Sequence, residues 1–147
     1  AVVALADGYS LTQLAPFVVS LRQTGFKGGI HLFMSHQRHL CDFEEQDMPE
    51  CMAAAIRFLE ALGVSIEEWP LDIARPDTGH QTIAYITDRI RLELYGQFAA
   101  GARRRGIHRI LLADSRDVLF QTNPFEQIDK LDHQIESHHD ADEYAWE

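Results

Sequence analysis

The sequence predicts an α/β fold, an open and mainly parallel sheet with helices on both faces, and three observations carry that expectation. Short apolar runs of strand length alternate along the chain with longer apolar stripes at helical spacing. Each stripe stops at a glycine, Gly25, Gly63 or Gly106, the residue that most readily takes the left-handed turn closing a helix. The segments joining successive strands are too long for hairpins, so the crossovers are expected to be right-handed and the strands parallel. With 147 residues, 46% of them apolar and 10% aromatic, the chain has the size and composition of one folded domain.

The first strand is expected in "AVVALA", a β-branched run that ends in the turn residues of "DGYS". Leu11, Leu14, Val18 and Leu21 then recur at helical spacing, and Pro16, which lacks a backbone donor, puts the start of the regular helix close to itself. "GGIHLFMS" reads as the second strand, with Ile30, Leu32 and either Met34 or Phe33 toward a core. Met52, Ala55, Ile56, Leu59 and Leu62 form the stripe of a second helix, and "VSIEEW" follows as a third strand. A loop marked by Pro70, Pro76 and Gly79 leads to a third helix from about Thr82 to Arg105, with Ile83, Ile86, Ile90, Leu94 and Phe98 on one face. Gly96 and Gly101 inside it each cost about 1 kcal/mol relative to alanine, which makes them the places for a kink or break. "HRILLAD" is the fourth strand. Residues 1–125 make the α/β domain, and residues 126–147, with eight acidic side chains against one lysine, read as a short surface helix fading into an acidic tail. His138 and His139 beside Asp140 have metal-binding chemistry, but a solvated tail is the preferred reading.

The formal charge of −10 argues against nucleic acid or an anionic membrane surface as the main partner, since either calls for a basic face. The basic run from Arg103 to Arg105 is accounted for by the dipole at a helix C-terminus. No apolar run approaches the roughly 20 residues needed to span a bilayer, and no signal-peptide pattern is present. A cytoplasmic location is expected, although a chain that starts at Ala1 leaves room for a targeting segment upstream. Cys41 and Cys51 read as an intracellular pair or one incidental bridge. With His36 and His39 they make a zinc-ligand set by residue type, without the paired C-x2-C spacing, so a polar loop is preferred to a metal site.

In open α/β sheets ligands bind beyond the carboxyl ends of the strands, which sets "DGYS" and "DSRD" on one rim. There "ILLADSRDVLFQTNPF" carries an apolar strand into Asp114, Arg116 and Asp117. Two carboxylates held close raise each other's pKa unless a cation lies between them, and oxygen ligands beside phosphate suit Mg2+ or Mn2+. Asp114 and Asp117 are therefore candidate metal ligands for a phosphorylated substrate. The competing reading is structural: a strand-end aspartate is a common helix cap, and Arg116 is a surface partner for a carboxylate. No Gly-rich phosphate loop is present, which argues against ordinary NTPase and dinucleotide binding.

"HRILLADSRDVLFQTNPFEQ" resembles the segment of metal-dependent GT-A glycosyltransferases in which an apolar strand runs into a D-x-D type motif, then a β-branched or aromatic run, then N/D-P-F. "VVALADGYSLTQLAPFVVSLRQTG" is similar to the opening of the glycogenin and bacterial galactosyltransferase group, where the first strand leads to a nucleotide-contacting loop and a helix ending in S-L-x-x-T/H. The two matches stand in the family's order at the two ends of residues 1–125. The resemblance implies a GT-A-like, Rossmann-like sheet truncated before the acceptor half. It also implies a nucleotide-diphosphate sugar as donor, UDP-linked by expectation, and Mn2+ or Mg2+ held by Asp114 and Asp117. By position, Ala6, Asp7 and Tyr9 would lie by the nucleoside, with the Tyr9 ring as a stacking surface for uracil. Arg91 would reach the sugar or diphosphate, and Ser115 and Arg116 would contact the donor beside the metal ligands. For Arg91 the competing reading is an exposed helix arginine paired with a nearby glutamate. The chain departs from the family in having D-S-R-D for D-x-D, and in stopping before the family's later metal-binding histidine and any catalytic base.

The expected function is thus a metal-dependent glycosyltransferase, or its donor-binding half, with an unknown acceptor. The alternatives are a Mg-dependent nucleotidyltransferase or phosphohydrolase on a similar sheet, and a non-catalytic α/β binding or assembly domain.

Overall fold

Four short strands and three helices alternate in the computed structural model, which describes residues 1–35, 40–41, 48–69 and 83–129, with the backbone alone for 83–89. The order is β1 (Val2–Leu5), α1 (Leu11–Gln23), β2 (Ile30–Met34), α2 (Met48–Ala61), β3 (Val64–Glu68), α3 (Ile83–Ala102) and β4 (Leu111–Asp114). A 3-10 turn, Arg103–Arg105, closes α3, and residues 124–129 are helical again. The histidines His36 and His39, the loop with Pro70, Pro76 and Gly79, the side chains of Ile83 and Ile86, and the acidic tail with His138 and His139 lie outside the described residues.

The strands form one sheet in the order β3-β2-β1-β4, and every pairing is parallel. The chain is laid outward from β1 to β3 and then returns to the far side of β1, so the strand order reverses between β1 and β4. That makes the β1–β4 seam the topological switch point.

Each strand of the inner sheet buries both faces, which is why these segments read as continuous apolar runs. Val2, Ala4, Ala6, Ile30, Leu32 and Met34 face α1 and α2, where they meet Leu14, Phe17, Val18, Leu21, Ala55 and Leu59. Val3, Leu5 and Phe33 face the other way, onto Ile90, Leu94, Tyr95 and Phe98 of α3 and onto Trp69. Met34 and Phe33 are therefore both core residues, on opposite faces. Helices cover both sides of a Rossmann-like α/β sheet, as expected.

Two local expectations are corrected. Helix α1 does not begin near Pro16 but at Leu11, with Pro16 inside it. The start is set by Ser10, whose backbone N–H is accepted by the Gln13 side chain at 3.0 Å. Pro16 stands on the solvent side, where a helix tolerates the bend, while Leu14, Phe17, Val18 and Leu21 hold the other side in the core. Helix α3 runs through Gly96 and Gly101 without a break, because its buried stripe outweighs their propensity cost. Cys41 and Cys51 are joined by a disulfide with a Cα separation of 6.0 Å, which ties the residue after buried Leu40 to α2.

At the amino-terminal rim, Arg22 in the last turn of α1 donates to four backbone carbonyls: Leu62 at 2.6 Å, Gly28 at 2.8 Å, and Phe26 and Gly63 at 3.0 Å each. One guanidinium thereby joins the end of α1 to the entries of β2 and β3. The sequence alone holds no sign of this, since the four acceptors converge only after folding.

Candidate functional site

The site is built where β1 and β4 end side by side at the switch point. The register pairs Leu5 with Asp114, so the last apolar residue of β1 stands opposite the first carboxylate of "DSRD". On the other side of β1 the β2 seam is sealed: Ala6 N–H donates to Phe33 O at 2.8 Å, and the Asp7 carboxylate accepts from both the backbone N–H of Ser35 at 2.7 Å and its hydroxyl at 2.5 Å. Asp7 is thus fixed in direction at the rim, and Ala6 is fully buried.

The β1–β4 seam ends differently. The Tyr95 hydroxyl of α3 accepts from Leu5 N–H at 2.9 Å and donates to Ala113 O at 3.2 Å. One residue further, the fully buried Ser115 hydroxyl donates to Leu5 O at 2.7 Å. Two side-chain hydroxyls therefore bridge the last rungs of the switch-point seam. Burial raises the Tyr95 pKa above its ordinary value and keeps the hydroxyl protonated; its bond to Leu5 and the Arg91 charge act in the opposite, weaker direction.

Around this seam the residues singled out from the sequence fall into contact. Arg91, one turn before Tyr95 on α3, faces Asp114 with Nη2 at 3.6 Å from Oδ2. The helix-surface pairing with a nearby glutamate is therefore replaced by a contact across to β4. The Arg91 Nε is buried with no hydrogen-bond partner among the described residues. Asp114 also accepts the backbone N–H of Arg116 at 3.2 Å, a turn that sends the chain outward. Arg116 lies over the Tyr9 ring at 5.8 Å, which joins "DSRD" to the first loop. Asp114, Arg116 and Asp117 are exposed, whereas Ser115 points inward into the seam.

The flanks of the two motif segments also meet. The Phe120 ring packs edge-on against Phe17 at 5.3 Å, and Phe120 N–H donates to the Ser20 hydroxyl at 3.1 Å. Asn123 Oδ1 accepts Phe125 N–H at 3.2 Å, so "NPF" supplies a cap, a proline in the first helical turn and a ring stacked on Phe26 at 5.6 Å. These residues hold the segment after "DSRD" against α1.

Asp114 and Asp117 are exposed carboxylates, hard oxygen donors of the type that suits Mg2+ or Mn2+. Among the described residues no group of three or more His, Cys, Asp or Glu side chains is close enough to hold an ion by protein ligands alone. Such an ion would therefore depend on its substrate. A cleft of about 700 Å3 opens at the opposite, amino-terminal rim beside Phe26, Lys27, His108, Arg109 and Phe125. It contains none of the expected site residues, and Arg109 there is engaged with Asp129. The carboxyl rim is preferred because the strand-order reversal, the exposed carboxylates and the arginines coincide there.

Tyr95 and Ser35 were not singled out from the sequence. A tyrosine in an apolar helical stripe is itself a signal, because its buried hydroxyl needs a partner. Compared with protein-family models, curated proteins and solved structures, the chain finds no match. No helix among the described residues is long and apolar enough to cross a membrane.

Proposed function

We propose that this chain binds a nucleotide-diphosphate sugar, UDP-linked, at the carboxyl rim of the β1–β4 seam and serves as the donor-binding part of a metal-dependent glycosyltransferase. The observation that carries this reading is the convergence of Tyr9, Arg91, Asp114 and Arg116 on the switch point of a parallel sheet.

The chemistry follows from the leaving group. When the glycosidic C–O bond of the donor breaks, negative charge grows on the nucleoside diphosphate. A divalent ion held by Asp114 and Asp117 would supply stabilisation of that charge. Arg116 adds an exposed guanidinium whose planar fork suits phosphate oxygens. Arg91 contributes a second one, beside the Asp114 carboxylate. The Tyr9 ring presents an aromatic face for uracil, and Asp7 bounds the nucleoside side, with Ala6 buried behind it. Ser115 contributes from within the seam, holding the end of the strand that carries Asp114.

A thermal-shift series with UDP, GDP, ADP and CDP, each with Mn2+ and with a chelator, tests this. A ligand at about 100 times its Kd adds about 2.7 kcal/mol. UDP with Mn2+ should raise the melting temperature, and chelation should remove the rise. A rise with another nucleotide alone would discard the UDP assignment, and no rise with any would favour a non-catalytic binding or assembly domain. The Cys41–Cys51 bridge is the one observation against a cytoplasmic location, since such bridges belong mainly to oxidising compartments.

A further inference from the structure

We infer that Tyr95 is a positioning residue: its hydroxyl is a spacer in the β1–β4 ladder that sets the spread between the strand ends carrying Ala6–Asp7 and Asp114. The inference rests on the donor-site reading above for its functional half and on geometry alone for its structural half.

In a parallel ladder, alternate residues of β1 turn their backbone groups toward opposite neighbours. Val2 and Ala6 donate toward β2, to Gly29 O and Phe33 O, so Leu5 turns its N–H toward β4. The acceptor facing it there is the carbonyl of Ala113. The Tyr95 oxygen stands bonded to both groups, at 2.9 and 3.2 Å. A tyrosine hydroxyl can do this because it donates one proton and accepts another, whereas phenylalanine fills the same space and bridges nothing. Ser115 repeats the device at the next position, its hydroxyl reaching Leu5 O. Tyr95 comes from α3, on the opposite side of the sheet from α1, so the spacer reaches the ladder from outside the two strands it bridges.

The consequence for the site is direct. Ala113 is the residue before Asp114, and Arg91 sits one turn before Tyr95 on the same helix. Helix α3 thus fixes the backbone that bears Asp114 through Tyr95 and faces its carboxylate through Arg91. A shift in the Tyr95 bridge moves Asp114 relative to Asp7, which is fixed independently by Ser35.

Tyr95→Phe tests the spacer, with Phe98→Leu as a packing control on the same helix, away from both rungs. Calorimetric titration of UDP with Mn2+ should show about tenfold to a hundredfold weaker binding for Tyr95→Phe, the range for residues that orient metal ligands. Phe98→Leu should bind as the wild type does, even where its melting temperature falls as far. Wild-type affinity in Tyr95→Phe, or weakening in both variants that follows their loss of stability, overturns the positioning role. Amide exchange decides the spacer with no ligand present: Leu5 should exchange faster relative to Val3 in Tyr95→Phe and unchanged relative to Val3 in Phe98→Leu. An unchanged Leu5 to Val3 ratio in Tyr95→Phe overturns the spacer. If the wild type fails to bind UDP with Mn2+ while the exchange ratio changes as stated, the donor reading fails and the spacer stands.

Discussion

Arginines at the two rims of the sheet are used in opposite ways. At the amino-terminal rim, Arg22 commits its guanidinium to four carbonyls between 2.6 and 3.0 Å, drawn from the two loops that enter β2 and β3. At the carboxyl rim, Arg91 reaches one carboxylate at 3.6 Å and Arg116 lies over one ring at 5.8 Å. The first arrangement leaves little for a ligand and much for the fold. The second does the reverse, and it coincides with the seam whose last backbone groups are also bonded by side-chain hydroxyls.

Breaking the amino rim should have the largest effect. Arg22→Ala removes charge-assisted bonds to four carbonyls that water can partly replace, and it should lower stability by about 2–3 kcal/mol in urea denaturation. UDP binding by the folded protein should be unchanged, so a selective loss of binding would refute the division between rims. Ser115→Ala comes next: it removes the hydroxyl bond to the Leu5 carbonyl in a buried seam and should cost about 1–2 kcal/mol. Arg116→Ala should leave stability within about 0.5 kcal/mol, as for most exposed positions. Its cost should instead be about tenfold in Mn2+-dependent UDP affinity, the worth of one charge-assisted hydrogen bond.

The smallest effect is one of pH. Burial raises the Tyr95 pKa in the folded state, so the folded protein keeps a proton that the unfolded chain releases. This contribution is fully present below about pH 10 and is lost as pH rises through the folded value. Wild type should therefore lose more stability than Tyr95→Phe between about pH 10 and the folded pKa, and parallel curves would show that folding does not raise the Tyr95 pKa.

The fold was legible because both faces of the inner strands are buried, so "AVVALA" and "GGIHLFMS" announce themselves as apolar runs. Gly25, Gly63 and Gly106 do take the left-handed conformation, and the helices end there. Pro16 misled because local propensity says nothing of the four buried side chains that keep α1 helical on both sides of it. The rim was legible from one rule, that strand ends carry ligands, and Asp114, Arg91, Tyr9 and Arg116 do come together. Arg22, Ser35 and the inward turn of Ser115 were not legible, since their partners are set by long-range register. Tyr95 was legible in part, as a hydroxyl among helical core residues that had to bond to something.

The central claim is that the open seam binds UDP through a divalent ion held by Asp114 and Asp117. Calorimetric titration of UDP into wild type and into the Asp114→Ala plus Asp117→Ala variant, each with Mn2+ and with chelator, tests it most directly. The account predicts that wild type binds only with Mn2+ and that the folded double variant does not bind in either condition. Equal binding by both proteins, unaffected by chelator, would contradict it.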